Sequence, residues 1–222
     1  MATRTSPPVA ERAVQLEIKG VELPGDLALP HGATGLVIFA HGSGSSRRSP
    51  RNRFVAQALQ AGGLGTLLFD LLTPEEERVD RLTAHLRFDI GLLAQRLIGA
   101  VDALAANPAT RALPFGTFGA STGAAAAISA AAARPSAVHA VVSRGGRPDL
   151  AASALARVRA PTLLIVGGED THVIQLNQAA LAQLPGEKQL AIVPDATHLF
   201  EEPGTLEQVA ALARDWFVRH LR

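Results

Sequence analysis

Gly119-Ala120-Ser121-Thr122-Gly123 decides how this chain folds. It fits Gly-x-Ser-x-Gly, and its flanks fit the setting that pattern requires: a strand before it and a helix after it. Residues 113–118 are short and mostly apolar, as in a buried strand. Residues 124–130 are almost all alanine and strongly helix-forming. A serine on the sharp turn between them sits in strained backbone, and side chains at 119 and 123 would clash with the adjoining strand and helix. Short Gly/Ser patterns also arise by chance, so the flanking elements carry the assignment.

Working outward, residues 13–19 alternate apolar and polar, which predicts a half-exposed strand. Residues 21–23 and 27–29 predict a second strand interrupted at Pro24-Gly25, the two forming an antiparallel pair at a sheet edge. Continuous apolar runs follow at 35–39, 65–69, 114–118, 138–142, 162–166 and 189–193, as in a parallel sheet covered on both faces. Helices fill the gaps. Ser49-Pro50 opens one that ends at Gly62-Gly63. Thr73-Pro74-Glu75-Glu76 is a capping box, so the acids at 75–77 read as helix-start charge rather than a metal site. Ile90, Leu93, Leu97, Val101 and Leu104 form a core-facing stripe over 88–105. Further helices are expected over 121–133, 177–184 and 205–221. The expectation is one α/β domain over 13–222, preceded by a tail at 1–12.

The 222 residues suffice for one such domain, and 18% charged with 47% hydrophobic residues is a globular balance. A net charge of +1 argues against a general nucleic-acid or membrane-surface role. The absence of cysteine excludes a disulfide, a thiolate nucleophile and a cysteine metal site. No apolar run reaches about 18 residues and the N-terminus carries no apolar signal region, so a cytoplasmic enzyme is expected.

A serine hydroxyl needs a base to take its proton, and the base needs an orienting acid. In this kind of fold the partners follow in the order serine, acid, histidine. Asp170 turns off the end of the strand at 162–166, with Glu169 as rival acid. His198 follows the strand at 189–193. Both are strand carboxyl ends, where active-site groups of open parallel sheets gather. Asp170 could be a plain turn residue and His198 an exposed loop histidine; together with Ser121 they read as acid and base. His31, His85, His139 and His220 are less well placed, and His172 lies on the loop of the acid.

His41-Gly42-Ser43-Gly44 leaves the strand at 35–39 as a His-Gly oxyanion turn. The N–H groups of Thr122 and Ser43 are the candidate oxyanion donors, with Gly44 as the substitute for Ser43. His41 reads as a loop residue rather than a second base. Arg47, Arg48 and Arg51 follow this turn, and Arg144 and Arg147 follow another strand end. Arginine forks suit carboxylate or phosphate, although helix-start arginines facing solvent are the commoner case. His41, Gly44, Arg47, Arg51 and Arg144 are therefore candidates for substrate contact. Asp70 reads as a structural hydrogen-bonding residue near the site.

The turn at 42–47, the elbow at 119–123, Gly167-Gly168-Glu169-Asp170-Thr171-His172-Val173 and the segment 196–204 together resemble an α/β-hydrolase of the dienelactone-hydrolase-like branch. The resemblance runs from about residue 13 to the C-terminus. It implies an eight-stranded, mostly parallel sheet with an antiparallel N-terminal edge, helices on both faces and no cap domain. It implies Ser121 as nucleophile, Asp170 as acid and His198 as base. Dienelactone hydrolases use a cysteine nucleophile, which this chain lacks, so a serine esterase is the better expectation.

The expected activity is hydrolysis of a small or medium carboxylic ester, with no metal or organic cofactor. The expected partner is a small-molecule substrate, not nucleic acid or membrane, in a monomer or homodimer. Acyl transfer, thioester or amide cleavage would use the same triad, and a catalytically silent binding module is the alternative outside enzymes.

Overall fold

The computed structural model describes residues 9–222. Residues 1–8 of the expected N-terminal tail lie outside the described residues. The strands are β1 (Glu11–Ile18), β2 (Val21–Ala28), β3 (Leu36–Ala40), β4 (Gly65–Phe69), β5 (Phe115–Ala120), β6 (Val138–Arg144), β7 (Thr162–Gly167) and β8 (Lys188–Val193). The helices are α1 (Pro50–Ala61), α2 (Pro74–Thr83), α3 (Ile90–Ala106), α4 (Thr122–Ala133), α5 (Thr171–Gln183) and α6 (Thr205–His220). Short 3-10 segments span Leu86–Phe88 and Pro148–Arg157. Among the described residues no helix is long and apolar enough to cross a membrane.

The eight strands form one sheet in the order β1-β2-β4-β3-β5-β6-β7-β8. β1 pairs antiparallel with β2 and β2 antiparallel with β4; every pairing from β4 to β8 is parallel. Strand order reverses about β3, which lies between β4 and β5. That makes the carboxyl ends of β3 and β5 the switch point where such sheets open a crevice.

Two apolar clusters cover the sheet. One joins Leu36, Ile38 and Leu164 to α3, α4 and the 3-10 segment at 148–157. The other joins Val37, Phe39, Phe118 and Ile165 to α1 and α6. Alanine explains how α4 fits: Ala124 to Ala127 are wholly buried, so the helix sits close against the strands. Larger side chains there would hold it away.

Several elements differ from the sequence expectation: β6 ends at Arg144, two residues late, α3 begins at Ile90, two residues late, and the 3-10 segment Pro148–Arg157 was not expected. β1 begins at Glu11, two residues early. β2 is continuous through Pro24-Gly25, not interrupted. A Cβ at Gly25 would lie 3.1 Å from Phe69 Cβ and 3.2 Å from side-chain atoms of Leu67 and Val14, so the glycine serves close strand packing rather than a turn. α5 begins at Thr171, six residues before the expected start.

Candidate active site

Ser121 stands between the last residue of β5 and the first of α4, with φ 50° and ψ −121°. A non-glycine residue there carries strain on the order of 1–3 kcal/mol, held only if its surroundings insist on it. They do. The Ser121 N–H donates to the Arg144 carbonyl at 3.2 Å, and its carbonyl accepts from the Arg147 N–H at 3.1 Å. The end of β6 and the loop after it thus clamp the turn from both sides. A Cβ at Gly119 would overlap Ala124, and one at Gly123 would overlap the carbonyl oxygens of Ala40 and His41. Both glycines are required by close backbone approach.

Asp170 and His198 come together across their two loops. His198 Nδ1 lies 2.6 Å from Asp170 Oδ2, and the carboxylate is mostly buried while the imidazole is partly exposed. Asp170 is also the N-cap residue of α5, yet its side chain caps nothing in that helix. An aspartate there would ordinarily accept from the first helical N–H groups; here the carboxylate faces the histidine instead. Gly167 makes the approach of the two loops feasible, since a Cβ there would overlap the carbonyl oxygen of Ala196. The histidine loop is tied by Thr197, whose N–H and hydroxyl donate to Glu202 at 3.1 and 2.6 Å. Those bonds hold the Glu202 carboxyl below its ordinary range. Glu169, the rival acid, has no side-chain contact with His198 among the hydrogen bonds of the described residues.

The turn after β3 lies against the elbow: a Cβ at Gly42 would be 3.1 Å from Ser121 Cβ. The Leu71 N–H donates to His41 Nε2 at 3.1 Å, so that nitrogen is unprotonated and Nδ1 carries the proton. Nδ1 then donates to the Gly42 carbonyl at 3.0 Å, which also accepts from the Ser45 N–H at 3.2 Å. The Gly42 carbonyl and the Ser43 N–H belong to one planar peptide and point in opposite directions. Fixing the first therefore aims the second. Burial pushes the His41 imidazole below the ordinary histidine range, outweighing the Gly42 carbonyl and the charges of Asp70 and Glu77. With both ring nitrogens engaged inside the protein, His41 orients the turn and is not available to substrate.

The arginines separate clearly. The Arg47 side chain binds Asp70, its N–H donates to Asp70 Oδ1 at 2.7 Å, and Asp26 is 3.5 Å away. Asp70 is thus the structural acid that the sequence suggested, and Arg47 is neutralised by it. Arg51 pairs with Glu201 at 3.1 Å. Arg144 is 7% exposed and has no ion pair among the described residues. Burial, aided by the like charge of Arg51, pushes its guanidinium down to about 10, which leaves it cationic at neutral pH.

Beside the turn after β3 lies a cavity of about 200 Å³ lined by Ser43, Gly44, Leu71, Leu72, Glu77 and Arg87, among others. The sequence reading missed its far wall. Asp80 on α2 is buried, and Arg87 Nε donates to it at 2.6 Å. It also missed Asn177, whose amide donates to the Gly146 carbonyl at 3.0 Å and holds the loop after β6 against α5. The Gly145-Gly146 pair after a strand was the available signal for that loop.

Residues 64–220 match the Dienelactone hydrolase family. A dienelactone hydrolase from Anabaena variabilis superposes with a TM-score of 0.96 at 62% identity, covering 97% of this chain and 100% of that one. An esterase domain from a Rhodothermus marinus protein gives a TM-score of 0.75 at 20% identity, covering 95% of this chain and 99% of that one, a likeness of fold. Proteins from two strains of Mycobacterium tuberculosis that carry a provisional phosphoribosyl transferase name are 60% identical over 215 residues, 97% of this chain. The chain spans 48% of the length of each of these relatives.

Proposed function

Because this chain belongs to the dienelactone hydrolase family, with the α/β-hydrolase fold, we propose that it is a serine hydrolase opening small or medium carboxylic esters. The observation that carries the reading is the Asp170–His198 contact of 2.6 Å, in loops at the carboxyl ends of β7 and β8, with a serine held at φ 50° at the carboxyl end of β5. His198 Nε2 takes the Ser121 proton as Oγ adds to the ester carbonyl. Asp170 accepts from Nδ1, fixing the tautomer and stabilising the imidazolium that forms. The N–H groups of Ser43 and Thr122 receive the negative oxygen of the tetrahedral intermediate; losing one such donor typically costs about 100- to 1,000-fold in rate. The intermediate collapses, His198 gives its proton to the leaving alkoxide, and an acyl-serine ester remains. Water, deprotonated by His198, adds to that ester, and Ser121 leaves with the proton returned.

Serine in place of the family's cysteine makes the dependence on His198 strict, because a hydroxyl has no accessible anionic form near neutral pH. The test is Ser121→Ala assayed on an activated short-chain ester. A fall of at least about 1,000-fold is expected, with the melting temperature little changed, because alanine keeps the Cβ and the same backbone conformation. A fluorophosphonate probe should label Ser121 in the unaltered chain. Turnover retained above a few per cent in the variant, or absence of label, would overturn the reading.

A further inference from the structure

The sheet has two open edges, β1 and β8, and they are protected differently. An open edge presents unpaired N–H and C=O groups to any strand that meets it, and natural chains blunt such edges with charge. β1 does so: Glu11, Arg12 and Glu17 stand within its eight residues, and Lys19 follows. β8 does not. Between Lys188 at its start and Asp195 beyond its end, residues 189–194 are all uncharged. Helix α5, which packs against β7 and β8, has no Asp, Glu, Lys or Arg over Thr171–Gln183, in a chain with 18% charged residues. β3, β4, β5 and β7 are buried at every position. In β8 only Val193 is buried, and Ile192 is 43% exposed. Loss of charge around an apolar centre marks the core of an interface.

The hydrogen-bond ladder decides which strand fits this edge. The Thr162 N–H donates to the Glu187 carbonyl at 2.9 Å, and the Gly168 N–H to the Val193 carbonyl at 2.8 Å. Alternate residues of a strand turn their backbone groups to opposite sides, so 187, 189, 191 and 193 serve β7. Lys188, Leu190 and Ile192 turn theirs to the open side. A second β8, antiparallel about a two-fold axis at Ala191, sets Leu190 of each copy opposite Ile192 of the other. Those residues carry the free groups, so each pair can exchange both backbone bonds. Their side chains share one face of the sheet, where Leu190 already packs on the apolar cluster that includes Ala180 and Leu184. The same axis brings Lys188 of one copy to the strand end of the other, beside Asp195. Lys188 Nζ donates to the Leu184 carbonyl rather than to an acid, and Asp195 is exposed. A register centred on Leu190 would instead set the Lys188 ammonium opposite Ile192. The edge is thus complementary in bonds, apolar surface and charge to a second copy of itself.

We propose that β8 is the interface of a homodimer, in which two copies pair their β8 strands antiparallel about Ala191 into one continuous sheet, with a Lys188–Asp195 ion pair at either end. The contact is isologous and closes on itself. It leaves only the charged β1 edges open, so assembly stops at the dimer. The inference does not rest on the serine hydrolase reading, although the paired strand leads directly into the loop that carries His198.

The test is sedimentation of the chain across the micromolar range, with hydrogen exchange of the β8 amides. Twice the mass of one chain is expected, with slow exchange at Leu190 and Ile192. Ile192→Lys should raise the dissociation constant by at least about 100-fold and free both amides, because it places charge inside the ladder. Lys188→Glu should weaken the dimer by about 10-fold, and adding Asp195→Lys to it should restore the affinity. Leu82→Lys puts the same charge on an 89% exposed apolar residue of α2 and should leave the dimer intact. Melting curves at a dilution where all are monomeric confirm that each variant folds. A monomer throughout the range overturns the proposal. So does a dimer that survives Ile192→Lys, one dissociated by Leu82→Lys, or one whose Leu190 and Ile192 amides exchange freely. A double variant no tighter than Lys188→Glu alone overturns the register and the proposal with it.

Discussion

Among the glycines of the described residues, Gly123 is where an added Cβ would come closest to backbone. A methyl group there would overlap the carbonyl oxygens of Ala40 and His41, which are backbone atoms and cannot swing aside. Either the start of α4 or the end of β3 must move, and those two segments carry Thr122 and Ser43. Gly123→Ala is expected to cost about 2–3 kcal/mol as an overpacked site. For a chain of this size that is roughly 4–12 °C in melting temperature. Ester turnover should fall further than stability accounts for, because the displacement separates the two proposed oxyanion donors. A variant that melts with the unaltered chain would show that the two backbones are not in this contact. The need for glycine at 119 and 123 was legible in the sequence, because the elbow is a local motif. The isolation of Arg144 was not, because it depends on which acids the fold brings near, and the sequence showed only an arginine at a strand end.

Helix α2 shows the same division between local and tertiary information. Thr73 Oγ1 accepts the Glu76 N–H at 3.1 Å, and Glu76 Oε2 accepts the Thr73 N–H at 2.8 Å. That reciprocal cap is written in four consecutive residues and was read from them. The other oxygen of Glu76 accepts from Arg96 Nη2 at 2.7 Å, across to α3, where Arg96 is buried. No local pattern announces that pair. Thr73→Ala should therefore cost about 1 kcal/mol, the usual value of an N-cap. Glu76→Ala removes its half of the cap and leaves Arg96 without its acid. About 2–3 kcal/mol is expected, below the fully buried case because Glu76 is a quarter exposed. Urea denaturation of the two variants checks the order, and equal losses would mean that the ion pair adds nothing. The same reasoning explains β2 and α5. Pro24-Gly25 is a turn signal when read locally and is overridden by pairing to β1 and β4 on both sides. The early start of α5 was obscured because its first residues follow Asp170, whose carboxylate is turned away from the helix it begins.

For the whole molecule, the buried titratable groups predict how stability depends on pH. His41 joins the turn after β3 to Leu71, just beyond β4, and His220 packs on Trp216 with ring centroids 4.6 Å apart. Burial pushes both imidazoles below the ordinary histidine value of 6.5; at His220 burial and Arg219 outweigh the raising effect of Glu187. The unfolded chain therefore binds more protons than the folded one as pH falls below that value. Stability is complete above it, declines through the window down to the folded values, and levels off beneath them. Asp80 acts in the same direction at lower pH. Burial opposes its ionisation, but donors from Arg87 and Leu86 outweigh burial and hold the carboxyl below 3.8. Its contribution is present above that value and is lost as pH falls through the folded one. Acid should therefore weaken the fold in two stages, the first set by histidines and the second by a carboxylate. His41→Gln isolates the first stage. Glutamine cannot titrate, so whatever the variant loses in absolute stability, the slope of unfolding free energy between pH 7 and 5 should fall by up to about 1.4 kcal/mol per pH unit, one proton's worth. Chemical denaturation at several pH values measures that slope directly. An unchanged slope would mean that His41 takes up its proton without unfolding, and its bond to the Leu71 N–H could then not be what holds the turn after β3.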